Sequence, residues 1–106
     1  MAVPSTSASS YPVVWQVEGK PTATGKLVLD ADAAVISGTA GSRQLISNRL
    51  AYAEIAGIRI GRTRDERLGG YPTLIIERHN KSLMQMTVLG AGLLSELASL
   101  LAALAA

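Results

Sequence analysis

The chain has 106 residues, enough for one hydrophobic core, and 48% of them are apolar although Phe is absent and the aromatics are only Tyr11, Trp15, Tyr52 and Tyr71. Charged residues make up 17%, below the roughly 25% of an ordinary soluble domain, and the net charge of +2 is too small for general nucleic-acid binding. With no cysteine, disulfides, thiolate metal sites and cysteine nucleophiles are excluded.

Residues 1–11 open with small, uncharged residues, "MAVPSTSASS", and are expected to be a disordered tail ahead of a single domain over residues 12–106. A secretory signal would need a cationic start followed by an apolar run, and neither occurs. "PVVWQVE" alternates as a half-buried strand with Trp15 inward. "EGKPTATG" connects it to "GKLVLD", which sets Leu27 and Leu29 on one face. Asp30-Ala31-Asp32 is a tight turn into "AAVISG", and "SRQLIS" is the next short strand.

"NRLAYAEIAGIRIGR" begins as a bend in which Tyr52 and Ile55 turn to the core while Glu54 stays wet. It then alternates Ile58 and Ile60 against Gly57, Arg59 and Gly61. A charged stretch, "GRTRDERLGG", leads to "YPTLIIERHN". Asn80-Lys81 turns the chain into "KSLMQMTVL", with Met84, Met86 and Val88 on one face and Gln85 and Thr87 on the other. Seven short strands with turn residues between them describe an all-β sandwich or barrel.

The period then changes. Leu93, Leu94, Leu97, Leu100, Leu101 and Leu104 make one stripe on a helix expected over about residues 91–105. The apolar stretch is shorter than the roughly 20 residues of a membrane span, so this helix is expected to dock over an open end of the barrel. The expected core is Trp15, Leu27, Leu29, Tyr52, Ile55, Ile58, Ile60, Leu93, Leu97, Leu100, Leu101 and Leu104.

Seven antiparallel strands followed by one amphipathic helix resemble the pleckstrin-homology superfold, a bent barrel plugged at one corner by its helix. "RLAYAEIAGIRIGR" is most similar to the bacterial pleckstrin-homology-like families and, more loosely, to GRAM domains. "GKLVLDADAAVISG" resembles the hairpin before it and "TLIIERHNKSLMQMTV" the last hairpin before the helix, so the resemblance covers about residues 12–105. It implies a non-enzymatic, cofactor-free binding or scaffolding module, cytoplasmic or peripheral at the inner membrane face. Its partner would be a protein or peptide, with an anionic-lipid or phosphate ligand as the alternative.

Lipid-reading members of that superfold carry a Lys, a further Lys or Arg, one residue and an Arg in the first hairpin. Here Lys20 and Lys26 are present, but Val28 stands where the closing cation belongs. The remaining cations concentrate in residues 43–67, where six arginines face Glu54, Asp65 and Glu66. Arg59, Arg62, Arg64 and Arg67 lie on or beside one strand and its loop, and guanidinium forks suit phosphate or carboxylate. The bland reading is a solvated hairpin tip whose charge Asp65 and Glu66 half cancel.

Two further constellations carry less. Glu77 and His79 share parity on one strand, and a carboxylate can orient an imidazole for proton transfer, but a solvated strand face explains them with fewer assumptions. Asp30 and Asp32 are too few oxygens for a hard cation, and no glycine-rich phosphate loop occurs. Ala98, Ala102 and Ala105 leave the outer helix almost uncharged, a surface on which a second copy could pack.

Overall fold

A computed structural model describes residues 10–41, 43–90 and 93–105. Among them are strands β1 (Ser10–Val17), β2 (Ala23–Leu29), β3 (Ala33–Ala40), β4 (Gln44–Ala51), β5 (Ile55–Ile60), β6 (Leu74–Arg78) and β7 (Leu83–Val88), then helix α1 (Leu93–Ala105). All pairings are antiparallel and form one seven-stranded sheet in the order β4-β3-β2-β1-β7-β6-β5. The mainly β class with one C-terminal helix is therefore as expected.

Alternation along the strands assembles the core. Tyr11, Val13 and Trp15 of β1, Leu27 of β2, Ile36 of β3, Leu50 of β4, Ile55 of β5, Leu74 and Ile76 of β6, and Met84 and Met86 of β7 fall in one buried cluster with Leu97 and Leu101. Side chains from both edge strands can share one cluster only if the sheet curls. The Trp15 indole N–H donates to Asn48 Oδ1 at 3.0 Å, joining β1 to β4, strands that would lie about 14 Å apart in a flat sheet. Gly25 and Gly38 are paired on the concave face. A Cβ at Gly25 would stand 2.0 Å from the Ser37 carbonyl oxygen, and one at Gly38 2.1 Å from that of Thr24. The backbones of β2 and β3 approach this closely only because neither residue has a side chain.

The sheet curls without closing. Among the described residues no strand pairs with the outer side of β4 or of β5, so the sheet is not closed. The chain leaves β4 through a 3-10 turn, Tyr52–Glu54, and α1 packs on that turn, on β5 and on β7. Helix packing thus covers an opening that strand pairing leaves. Tyr52 anchors the corner: it is buried, and its hydroxyl donates to the Asp30 carbonyl at 2.7 Å.

Some boundaries and burials differ from expectation. β1 begins at Ser10 and Tyr11 is buried, because its hydroxyl reaches Glu96 of α1 at 2.6 Å; the rest of the expected tail, residues 1–9, lies outside the described residues, as do 91 and 92 at the helix start. Trp15, Leu27, Tyr52, Ile55, Leu97 and Leu101 are buried, while Leu29, Ile58 and Leu93 are partly buried against the core. Ile60, Leu100 and Leu104 are instead exposed, at 40%, 38% and 42%. For the helix the reason is rotation: Ala98 and Ala105 pack against the core, so the docked face is turned from the leucine stripe toward its alanine flank. Small residues there let α1 lie close to β5. Ile60 ends β5 at its open edge, where no strand lies over it.

Candidate functional site

The arginine-rich stretch is not a projecting hairpin tip. Between β5 and β6 it forms two 3-10 turns, Arg64–Glu66 and Leu68–Gly70, and folds back over the convex face of the sheet. Gln85 Nε2 donates to the Glu66 carbonyl at 3.0 Å. Thr73 Oγ1 accepts the Leu68 N–H at 2.8 Å and donates to the Tyr71 carbonyl at 2.8 Å, while the Thr87 hydroxyl donates to the Pro72 carbonyl. This cover explains why Thr73 is buried, and why Thr87 is buried although it lies on the face opposite Met84 and Met86.

Glu66 is the hub of the loop. One carboxylate oxygen accepts the backbone N–H of Arg62 at 3.0 Å, and the other meets the Arg59 guanidinium at 2.5 Å. These contacts, the Arg59 hydrogen bond foremost, hold its pKa down at about 2, and the same pairing raises that of Arg59. Sequence reading treated Glu66 only as a neutralising charge. The signal that would have found it is the spacing Thr63-Arg64-Asp65-Glu66, a Ser/Thr-x-x-Glu arrangement that ties a carboxylate to the start of a helical turn.

Of the candidate anion residues, Arg59 is thus occupied. It lines a cavity of about 320 Å³ with Glu18, Asp65 and Glu66, three carboxylates against one cation. Arg62, Arg64 and Arg67 are exposed, and none forms an ion pair among the described residues. Lys20 and Lys26 do not join them. Lys20 sits in the β1–β2 turn and lines a hollow of about 370 Å³ with Trp15 and Ile46, while Lys26 lines another of about 590 Å³ beside Gly25 and Leu45. Lys20, Lys26 and Arg59 therefore line three separate recesses.

Glu77 and His79 do not share a strand face. Glu77 is exposed on β6, which ends at Arg78, and His79 is exposed in the following turn with its backbone N–H bonded to the Glu54 carbonyl at 2.9 Å. Asp30 accepts the Ala31 N–H at 2.9 Å, and Asp32 lies 3.9 Å from Arg49 across the exposed surface. Those aspartates serve the turn. Among the described residues no three His, Asp or Glu side chains are grouped to hold a metal ion, and no helix is long and apolar enough to cross a membrane.

A recess that sequence reading did not locate runs along β5 and α1. One hollow, about 250 Å³, lies between Ile55–Ile58 and the alanines Ala102 and Ala105. The next, about 230 Å³, shares Ile58 and Ala102 with it and continues past Ile60, Ala98 and Ser99. Arg59 is its one charged lining residue, and that charge is paired with Glu66. The floor is the outer edge of β5, whose backbone groups have no strand opposite. An open strand edge beside an apolar helix face can hydrogen-bond an extended backbone and bury its side chains. No protein-family model matches this chain, and no curated protein matches it.

Proposed function

We propose that this protein is a non-enzymatic binding module of pleckstrin-homology-like fold that takes an extended, apolar peptide segment along the free edge of β5. What supports the fold assignment is the strand order, a meander curled around one core with the C-terminal helix laid across the opening between its two edges. The observation that carries the function is the coincidence of an unpaired strand edge with a largely apolar groove of the same length, whose one charge, Arg59, is paired with Glu66. β5 has six residues, about 20 Å of ladder. A ligand strand laid there would pair its backbone with β5 and set alternate side chains against Ala98, Ala102 and Ala105. Small alanines leave room for those side chains, and the lack of charge selects apolar ones. The lipid alternative has less behind it, because Lys20, Lys26 and Arg59 line three different recesses.

Selection of random peptides on the immobilised chain, followed by mapping of amide chemical shifts, tests the reading. Extended apolar peptides should enrich, with shifts confined to Ile55–Ile60 and Ala98–Ala105. Ala102→Arg, at an exposed position lining both hollows, should abolish that binding while preserving the thermal melt. Failure of any peptide to enrich, or shifts centred on Arg62–Arg67, would overturn it. Salt-sensitive binding to anionic vesicles in place of peptides would favour the lipid alternative.

A further inference from the structure

The sheet has a second free edge, and its character is different. β4 pairs with β3 through eight consecutive residues, Ala33↔Ala51 to Ala40↔Gln44, without a bulge. Long regular edges are normally blunted by proline, lysine, a bulge or an inward charge. "QLISNRLA" has no proline and no lysine. Its single charge, Arg49, is on the convex face near Asp32, while Ile46, Asn48 and Leu50 take the concave one. On the convex side Leu45 is 83% exposed, more than any other large apolar residue among those described, and it stands between two hollows.

We propose that this edge is covered by β4 of a second copy, paired antiparallel about a twofold axis so that two sheets become one. The side-chain pattern of the strand is what selects a copy of itself. A twofold normal to the sheet keeps each face on its own side, so residues oppose partners of the same parity. Centred on Ser47, the pairing sets Leu45 opposite Arg49, Ile46 opposite Asn48 and Gln44 opposite Leu50. No like charges meet, and the aliphatic stem of each Arg49 covers the other copy's Leu45. Centring on Ile46 would oppose Arg43 and Arg49, two cations. Centring on Asn48 would leave Leu45 against the single methyl of Ala51. The interface is isologous and closes at two copies, and it leaves the β5 groove free.

Sedimentation of the full chain over a range of concentrations tests this, together with five variants. The wild type should show a monomer–dimer equilibrium. Leu45→Lys, at a side chain that supports nothing in the monomer, should raise the dissociation constant about tenfold or more, since each of two symmetric pairs becomes a like-charge pair. Adding Arg49→Glu should restore dimerisation. Ser47→Cys gives the chain its only thiol; opposed residues have Cβ atoms about 4.5–5.5 Å apart, so oxidation should link the two copies, whereas Thr63→Cys on the exposed loop should not link. A monomer at every concentration would overturn the proposal. So would a dimer that Leu45→Lys leaves unchanged, or one in which Cys at position 47 fails to crosslink. Ala102→Arg should leave the dimer intact, which keeps this interface separable from the β5 groove.

Discussion

The two ends of the sheet expose the same backbone chemistry and treat it differently. β5 is short, its register shifts between Ile55 and Gly57, and α1 runs beside it. β4 is longer and regular, and the main contacts of α1 fall instead on β5, the Tyr52–Glu54 turn and β7. An irregular edge walled by a helix admits one strand in one place, which is what a peptide site requires. A regular edge open on its far side accepts any strand that matches it, and only the side-chain pattern limits the choice. Edge strands are thus distinguished less by their hydrogen bonds than by what stands next to them.

The largest effect should come from removing the wall. Leu97 is fully buried at the centre of the docked helix face. Leu97→Arg would place an unpaired cation in the core, costing about 4 kcal/mol or more, a large part of the roughly 5–15 kcal/mol that holds a domain folded. Loss of a cooperative melt, with aggregation through both edges, is the expected result. A variant that melted normally would show that α1 does not define the β5 side.

The bend that carries β4 round to face the helix is the next target. Gly25→Ala adds a methyl where the Ser37 carbonyl stands at 2.0 Å, and backbone atoms on both strands must give way. About 3 kcal/mol, the upper end for overpacking, is expected in chemical denaturation. Since β3 and β4 hang from this crossing, hydrogen exchange should rise in β4 before β5. Equal loss of protection at both edges would mean that the bend does not act on one end alone.

These two positions also mark what could be read in advance. Leu97 announces itself by helical period, and the strands by alternation and their turns, so the elements were legible almost throughout. The glycine crossing was not, because a glycine in a strand signals a close approach without saying to what. Leu100 and Leu104 were misplaced because a periodic stripe reports which residues share a face, not how far the helix turns when small alanines allow close packing. The arginine loop misled for a related reason. Its composition suggested an anion site, but Glu66 and Thr73 spend its polar groups on the loop itself. The β5 groove joins residues forty positions apart, and local pattern cannot bring those together.

A smaller effect is expected at the tether between β1 and α1. Burial first, then the hydrogen bond and charge of Glu96, push the Tyr11 pKa up to about 12. The folded value lies above the ordinary value of 10.0, so the neutral phenol favours the fold below pH 10 and that contribution is lost as pH rises from about 10 to 12. Tyr11→Phe should cost about 1 kcal/mol at neutral pH and flatten the alkaline part of the stability curve. An alkaline limb unchanged in the variant would assign the titration elsewhere. Because the tether reaches only the helix, β5 should loosen and β4 should not.

The mildest perturbation concerns the loop that leaves β5. The pKa of Glu66 is depressed from the ordinary 4.5 to about 2, chiefly by Arg59. Its carboxylate therefore supports the loop fully above pH 4.5, and the support fades as pH falls toward 2. In the folded protein the Arg62 and Thr63 amides should move in step with the Glu66 carboxyl carbon around pH 2, while amides of β4 stay still. In Glu66→Gln the acid transition of those amides should disappear and Arg59 be released from its pair. The released guanidinium would then place a free charge at the end of the β5 groove, and apolar peptides should bind less well there. If Glu66→Gln left both the loop amides and peptide binding unchanged, the pairing of Arg59 would have no part in keeping that groove uncharged.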